Sequence, residues 1–323
     1  MPMLDMSVEK LRVYRGITPC PEDFDAFWDD SLKEMRAIDA QVTFEEAAFH
    51  SPGVRCCDLW YTGAHGARIH ANFACPEKKD GKKHPGLLLF HGYTGAAPNF
   101  LSMLPYAYAG FFVAAMDVRG QGGKSQDPGI SLNPSVYGHI VRGILEDDPK
   151  KLFFRDVFLD AAQLAGILMD MEEVDEKRVA CTGGSQGGGL SFACAALDER
   201  IALCVPKVPW LCDYKRTFEM DLDVNAYQGI RDYFRHFDPL HEKEDWFFTR
   251  LGYIDNQNLA HRIRAKVVMV TGLLDNICPP STQFAAYNRI ESEKEVWLMP
   301  DYKHEVNEEV NQRSHQLILK ELL

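Results

Sequence analysis

A serine flanked by glycines, Gly183-Gly184-Ser185-Gln186-Gly187, stands between an apolar run, Arg178-Val-Ala-Cys-Thr182, and a run of small and apolar residues, Gly188–Leu197. The order predicts a strand, a sharp G-x-S-x-G turn and a helix. Glycines are needed at the flanks because larger side chains would strike the adjoining strand and helix. The serine itself takes a strained backbone conformation that lifts its Oγ into the open. A Gly-rich surface loop is the bland alternative, and the strand and helix signals on either side weigh against it. A strand leading into a helix in this way asks for an α/β sheet around it.

The remainder of the chain supplies that sheet. The apolar runs Leu87–Phe90, Phe111–Met116, Val179–Thr182, Ile201–Val205, Val267–Val270 and Val296–Met299 alternate with segments of helical period. Strands that are apolar throughout suit a mostly parallel sheet covered on both faces by helices. One covering helix is expected over residues 153–169, where Phe154, Val157, Phe158, Ala161, Leu164, Ala165 and Leu168 form a wide apolar face. An amphipathic helix is expected over residues 22–36, with Phe24, Phe27, Trp28, Leu32 and Met35 as its core stripe. Short strands broken by turns at Ser51-Pro-Gly53 and Thr62–Gly66 fill residues 42–75, and Lys78–Lys83 reads as a charged, solvated turn. Residues 209–262, rich in aromatic and charged side chains, break the α/β rhythm and read as an inserted helical cap. With no Pro/Ser-rich linker, residues 1–323 form one domain, with 1–80 as an N-terminal extension.

A serine hydroxyl is hardly ionised at neutral pH and needs a base within hydrogen-bond reach. In this kind of fold the partners follow the serine in the order acid, then histidine. His304 follows the strand Glu295–Met299 and the break Pro300-Asp-Tyr-Lys303, at the carboxyl edge where open α/β sheets gather ligand-facing groups. His236, His241 and His261 lie in or near the cap. Asp275 follows Lys266–Gly272 at the equivalent edge and would fix the histidine tautomer. Asp301 competes, but it would have to fold back onto His304 from three residues away. Asp275 could alternatively serve as a turn or helix-capping residue. The oxyanion formed on carbonyl addition needs two N–H donors. These are expected from Gln186 and, in the loop Phe90-His-Gly-Tyr-Thr-Gly95, from Tyr93. His91 precedes the acid and reads as structural. Asp117–Gly123 lacks the spacings of phosphate-binding loops, so Arg119 is expected to brace loops near the site.

The chain carries a formal net charge of −12, which disfavours nucleic acid and anionic membranes as partners. Nine scattered cysteines without a C-x-x-C pair suggest buried thiols in a reducing compartment and neither a disulfide framework nor a metal site. Leu101–Met116 is too short and too interrupted for a membrane span. The first ten residues lack a basic start followed by an apolar segment, so a cytoplasmic location is expected. Serine chemistry of this kind calls for no cofactor.

Taken together, Arg119-Gly120-Gln121, Gly183–Gly187 and His304-Glu305 are spaced like the three signature motifs of the cephalosporin C deacetylase / acetyl xylan esterase group, carbohydrate esterase family seven. His91-Gly-Tyr93, Gly272–Thr282 and Phe284-Ala-Ala-Tyr-Asn288 also resemble that family, and the likeness spans nearly the whole chain. It implies an α/β-hydrolase fold and an intracellular esterase that removes acetyl groups from small sugars and from the 3′ position of cephalosporins. It also implies a homohexamer. By position the family's nucleophile, acid and base fall on Ser185, Asp275 and His304, and its oxyanion donors on Tyr93 and Gln186. Arg119, Gly120, Gln121 and Glu305 would play supporting parts. The chain departs from the family at Val306-Asn307, where glycines are frequent, which suggests a stiffer loop. A serine peptidase or a broad short-chain carboxylesterase on the same fold is the rival expectation, and a non-catalytic relative is the more distant one.

Overall fold

The computed structural model describes residues 4–78 and 80–323; Lys79 of the charged turn and the first three residues lie outside them. Among the described residues, nine strands form one sheet in the order β1-β2-β3-β5-β4-β6-β7-β8-β9. Strands β1 (Thr43–Glu46), β2 (Val54–Thr62) and β3 (Arg68–Pro76) run antiparallel, and β3 pairs antiparallel with β5 (Phe112–Met116). From β5 onward every pairing is parallel, through β4 (His84–Phe90), β6 (Val174–Gly184), β7 (Leu203–Lys207), β8 (Lys266–Gly272) and β9 (Lys294–Met299). The sheet is therefore mixed, with its parallel part the larger. The extension before residue 80 continues the sheet and does not form a separate layer.

The alternation of side chains explains why the central strands are apolar throughout. On β4, Leu88 and Phe90 pack on one face, with the helices Phe24–Arg36, Phe153–Met169 and Gln186–Leu197. Leu87 and Leu89 pack on the other, with Phe100–Tyr108 and Glu308–Leu322. Each such Leu or Phe, once buried, contributes roughly 1.5–3 kcal/mol relative to its exposed state. The stripe of the first long helix is buried as its period requires, and the Trp28 indole N–H donates to the Tyr253 carbonyl at 2.9 Å.

Residues 209–262 fold into short helices, Tyr214–Glu219, Gln228–Phe237 and Glu244–Leu251 among them. Their aromatic side chains pack mainly on one another, as where the rings of Tyr233 and Phe247 stack at 4.2 Å. This unit is pinned to the start of the chain. The Tyr14 hydroxyl donates to Asp213 Oδ2 at 2.7 Å, and the Ile17 and Thr18 N–H groups donate to its Oδ1.

Candidate active site

Ser185 sits between the end of β6 and the helix Gln186–Leu197, at φ 57° and ψ −118°. This positive φ is uncommon for a residue with a side chain and persists only where the surroundings enforce it. The enforcement is visible. A Cβ on Gly183 would lie 2.5 Å from the Phe90 carbonyl oxygen, and one on Gly187 would lie 2.1 Å from the same atom. Only glycines let the turn close against the end of β4. The Ser185 N–H donates to Lys207 O at 2.9 Å, and Ser185 O accepts from the Trp210 N–H at 2.9 Å, so β7 and the segment after it grip the turn from the other side.

The parallel strand ends bring the three separated residues together. His304 Nε2 lies 2.8 Å from Ser185 Oγ, and His304 Nδ1 lies 2.8 Å from Asp275 Oδ2. Asp275 is fully buried. Its Oδ1 accepts from the N–H groups of Ile277 and Cys278, and its Oδ2 also accepts from the Gln283 side-chain amide at 3.2 Å. The turn contacts considered as an alternative role for Asp275 are thus present, and they fix a carboxylate that also faces the histidine. An acceptor at Nδ1 holds the proton there and leaves Nε2 free to accept from the serine. Asp301 is exposed and makes no hydrogen bond to His304. The loop that carries His304 is held by Asn307. Its Oδ1 accepts from the Val310 N–H and its amide donates to the Tyr302 hydroxyl, each at 2.8 Å.

Among the described residues, the backbone N–H groups of Tyr93 and Gln186 have no protein acceptor, as oxyanion donors require. The Gln186 N–H opens a helix, where the positive end of the peptide dipoles favours negative charge. The two flanking loops are joined by a pair of amides. Gln121 Nε2 donates to Gln186 Oε1 at 2.8 Å, and Gln121 Oε1 accepts from the Thr94 N–H at 2.9 Å. His91 is structural in its contacts: its Nε2 accepts from the Val118 N–H, and its Nδ1 donates to Gly92 O. Burial holds its ring below the ordinary histidine range.

Arg119 braces the surroundings through Asp160, Asp156 and Ala64 and does not bond the serine, its histidine or its aspartate. It is buried and forks onto Asp160 with two bonds of 2.7 Å, reaches Asp156 at 3.1 Å, and donates to Ala64 O. Burial works against the guanidinium charge, but these carboxylates outweigh it and keep Arg119 charged far above its usual range. Gly120 adopts φ +65°, and a Cβ there would lie 2.9 Å from the Asp127 carboxylate. Glu305 is exposed, and among the described residues its carboxylate accepts a single long bond, 3.4 Å, from the Lys303 N–H. Two contributors escape a reading of the sequence, Gln283 behind Asp275 and His139, and Asn307, seen there only as a departure from the family, proves to hold the His304 loop. The His139 Nδ1 accepts from the Tyr93 hydroxyl at 2.7 Å. Gln283 and Asn307 bond residues within eight positions of themselves, but in turns that no motif marks, and His139 meets Tyr93 from 46 residues away.

Residues 1–321 match the family model described as acetyl xylan esterase. The fold superposes on acetyl xylan esterase 1 from Thermoanaerobacterium sp. JW/SL YS485 with a TM-score of 0.95 and 51% sequence identity, covering 98% of this chain and 99% of that one. The acetyl xylan esterase from Paenibacillus sp. R4 is 35% identical with a TM-score of 0.90, covering 98% of this chain and all of its own. The acetyl esterase Axe7A of Xylanibacter ruminicola is 28% identical over 312 residues, which span 94% of this chain and 67% of the relative.

Proposed function

Because the chain belongs to the acetyl xylan esterase family and is a carboxylic ester hydrolase, we propose that it removes O-acetyl groups from small acetylated sugars, xylo-oligosaccharides among them. The observation that carries this reading is the unbroken line of hydrogen bonds from Asp275 through His304 to Ser185 Oγ. His304 Nε2 takes the serine proton as Oγ attacks the acetyl carbonyl. The N–H groups of Tyr93 and Gln186 hold the oxyanion, each donor of this kind being worth about 3–4 kcal/mol in the transition state. His304 then gives the proton to the departing sugar hydroxyl. Water, deprotonated by the same histidine, releases acetate from Ser185.

The 3′-acetyl group of cephalosporin C presents the same ester to the same groups and is included in the proposal. So is assembly into a homohexamer, supported by the exposed apolar side chains Leu132 and Tyr137 on the long loop after β5 and Leu240 and Trp246 in the inserted segment. A cytoplasmic location is supported by nine unpaired cysteines, eight of them buried.

Acetyl, butyryl and octanoyl p-nitrophenyl esters, followed by acetylated xylo-oligosaccharides and cephalosporin C, test the reading with Ser185→Ala as control. Acetyl preference and a silent Ser185→Ala are expected. Preference for the octanoyl ester would overturn the deacetylase assignment, and full activity in Ser185→Ala would overturn the serine mechanism. Light scattering on the eluting protein checks the hexamer.

A further inference from the structure

A second histidine is held between two carboxylates, and it lies outside the reacting trio. His70, on β3, is 1% exposed. Its Nδ1 is 2.6 Å from Asp117 Oδ2, and its Nε2 is 2.6 Å from Asp58 Oδ1 on β2. Ionised carboxylates only accept, so the arrangement is satisfied when both ring nitrogens carry a proton. Lys124 Nζ reaches Asp58 from the outside, and the Trp60 ring packs on the imidazole at 4.8 Å. Burial pushes the Asp117 carboxyl upward, but the bonds from His70 and from the N–H groups of Lys124 and Ala97 outweigh it and leave the group below its usual range.

The importance of Asp117 lies in what else it grips. Its Oδ1 accepts from the Ala97 N–H at 2.6 Å, in the loop that begins His91-Gly92-Tyr93, and its Oδ2 accepts from the Lys124 N–H at 2.9 Å. One carboxylate therefore clamps the Tyr93 loop to the loop after β5. The fit leaves no slack: a Cβ on Gly123 would lie 2.0 Å from the Asp117 carboxylate, and one on Gly122 would lie 2.8 Å from Thr94 O. Strand β3 also supports the same loops directly. The His70 N–H donates to Ser125 Oγ, the Asp117 N–H donates to His70 O, and the Asn72 amide donates to Pro98 O. The Thr94 N–H, beside Tyr93, is held by Gln121. The Tyr93 peptide is thus anchored on its far side through Ala97, Asp117 and His70 to the antiparallel strands.

We propose that His70 is a positioning residue for ester hydrolysis: through Asp117 it fixes the loop that presents the Tyr93 N–H to the reacting carbonyl oxygen. The inference rests on the oxyanion role given to Tyr93 above. Hydrogen-bond donors aimed at developing charge act through their placement, so a loosened donor weakens the transition state more than the bound substrate.

His70→Leu removes both donors while filling much of the space. The expected result is a fall of about 10-fold or more in kcat for p-nitrophenyl acetate with KM within about 2-fold. Affinity for an alkyl boronic acid, which forms a tetrahedral adduct at the serine, should fall by the same factor. Activity is expressed per active serine titrated with an organophosphate, so a misfolded fraction does not count. Unchanged kcat per titrated serine, or a rise in KM alone, overturns the proposal. If His70→Leu does not fold, Asp58→Ala decides at the partly exposed end of the chain. It should lower kcat about 3-fold, with recovery in Asp58→Asn, which still accepts from Nε2. Unchanged kcat in Asp58→Ala, or no recovery in Asp58→Asn, overturns the proposal. Ser185→Ala is measured alongside. If it is inactive while His70→Leu is unimpaired, only the positioning role fails; if it is active, the underlying reading fails.

Discussion

The two halves of the sheet contribute to the site in different currencies of structure. In the parallel half, β6, β8 and β9 all end on one edge, and Ser185, Asp275 and His304 follow those ends directly. In the antiparallel half, neighbouring strands run in opposite directions, and β1, β2 and β3 supply no reacting group. What they supply is charged contact: His70 to Asp117 across to the loop after β5, and a turn whose Ala64 carbonyl receives Arg119. Parallel strands gather chemistry because their geometry repeats. Antiparallel strands influence it here only through side chains that reach across.

The largest expected effect sharpens the parallel side of this comparison. Asp275→Asn keeps the shape but reverses the tautomer preference of His304, and kcat should fall by about 10⁴. Steady-state kinetics with far-UV circular dichroism would show activity lost and fold retained. Arg119→Met probes the opposite side. It leaves Asp160 and Asp156 buried with reduced compensation and should cost about 3–5 kcal/mol of stability. Urea unfolding measures this, and a lower kcat without a stability loss would break the comparison. Gly187→Ala tests both at once, since its Cβ would meet the Phe90 carbonyl at 2.1 Å. The expected cost is about 1–3 kcal/mol of stability, with kcat reduced because the elbow must move.

The smallest effect concerns pH. Burial and then the Arg142 guanidinium hold His139 below the ordinary histidine range. The unfolded chain binds a proton where the native ring stays neutral, so this contribution is full above that range and is lost as pH falls through it. His139→Phe should narrow the difference in Tm between pH 7.5 and pH 5.5, by less than about 1 kcal/mol in equivalent stability. An unchanged difference would mean that His139 takes up its proton alike in the native and unfolded chains.

Much of this architecture is legible in the residues themselves. The six apolar runs coincide with strands β4 to β9; the central ones, buried on both faces, have few polar positions in those runs to blur the signal, while the edge strand β9 is only partly buried. Asp275 and His304 stand out because strand ends and chain order narrow the choice to a few residues. The antiparallel part is harder to place. Nothing local in Val54–Thr62 or Arg68–Pro76 says that these strands join the main sheet through β5, since that pairing depends on side chains more than thirty residues away. The supporting polar residues are harder still. Gln121 and Gln186 lie in motifs recognised by their spacing, but their mutual amide bond emerges only when two loops meet. His70 looks like any strand histidine until Asp58 and Asp117 close on its two nitrogens.

Gly183 and Gly187 are each confined by the Phe90 carbonyl, whereas a methyl group on Gly184 would meet nothing within 4 Å. The elbow therefore has one degree of sequence freedom amid four constrained positions. Libraries aimed at altering the enzyme's reach should concentrate diversity at Gly184. There an added methyl would stand beside the nucleophile without meeting the strand beneath it, so variation is most directly read as a change in ligand preference.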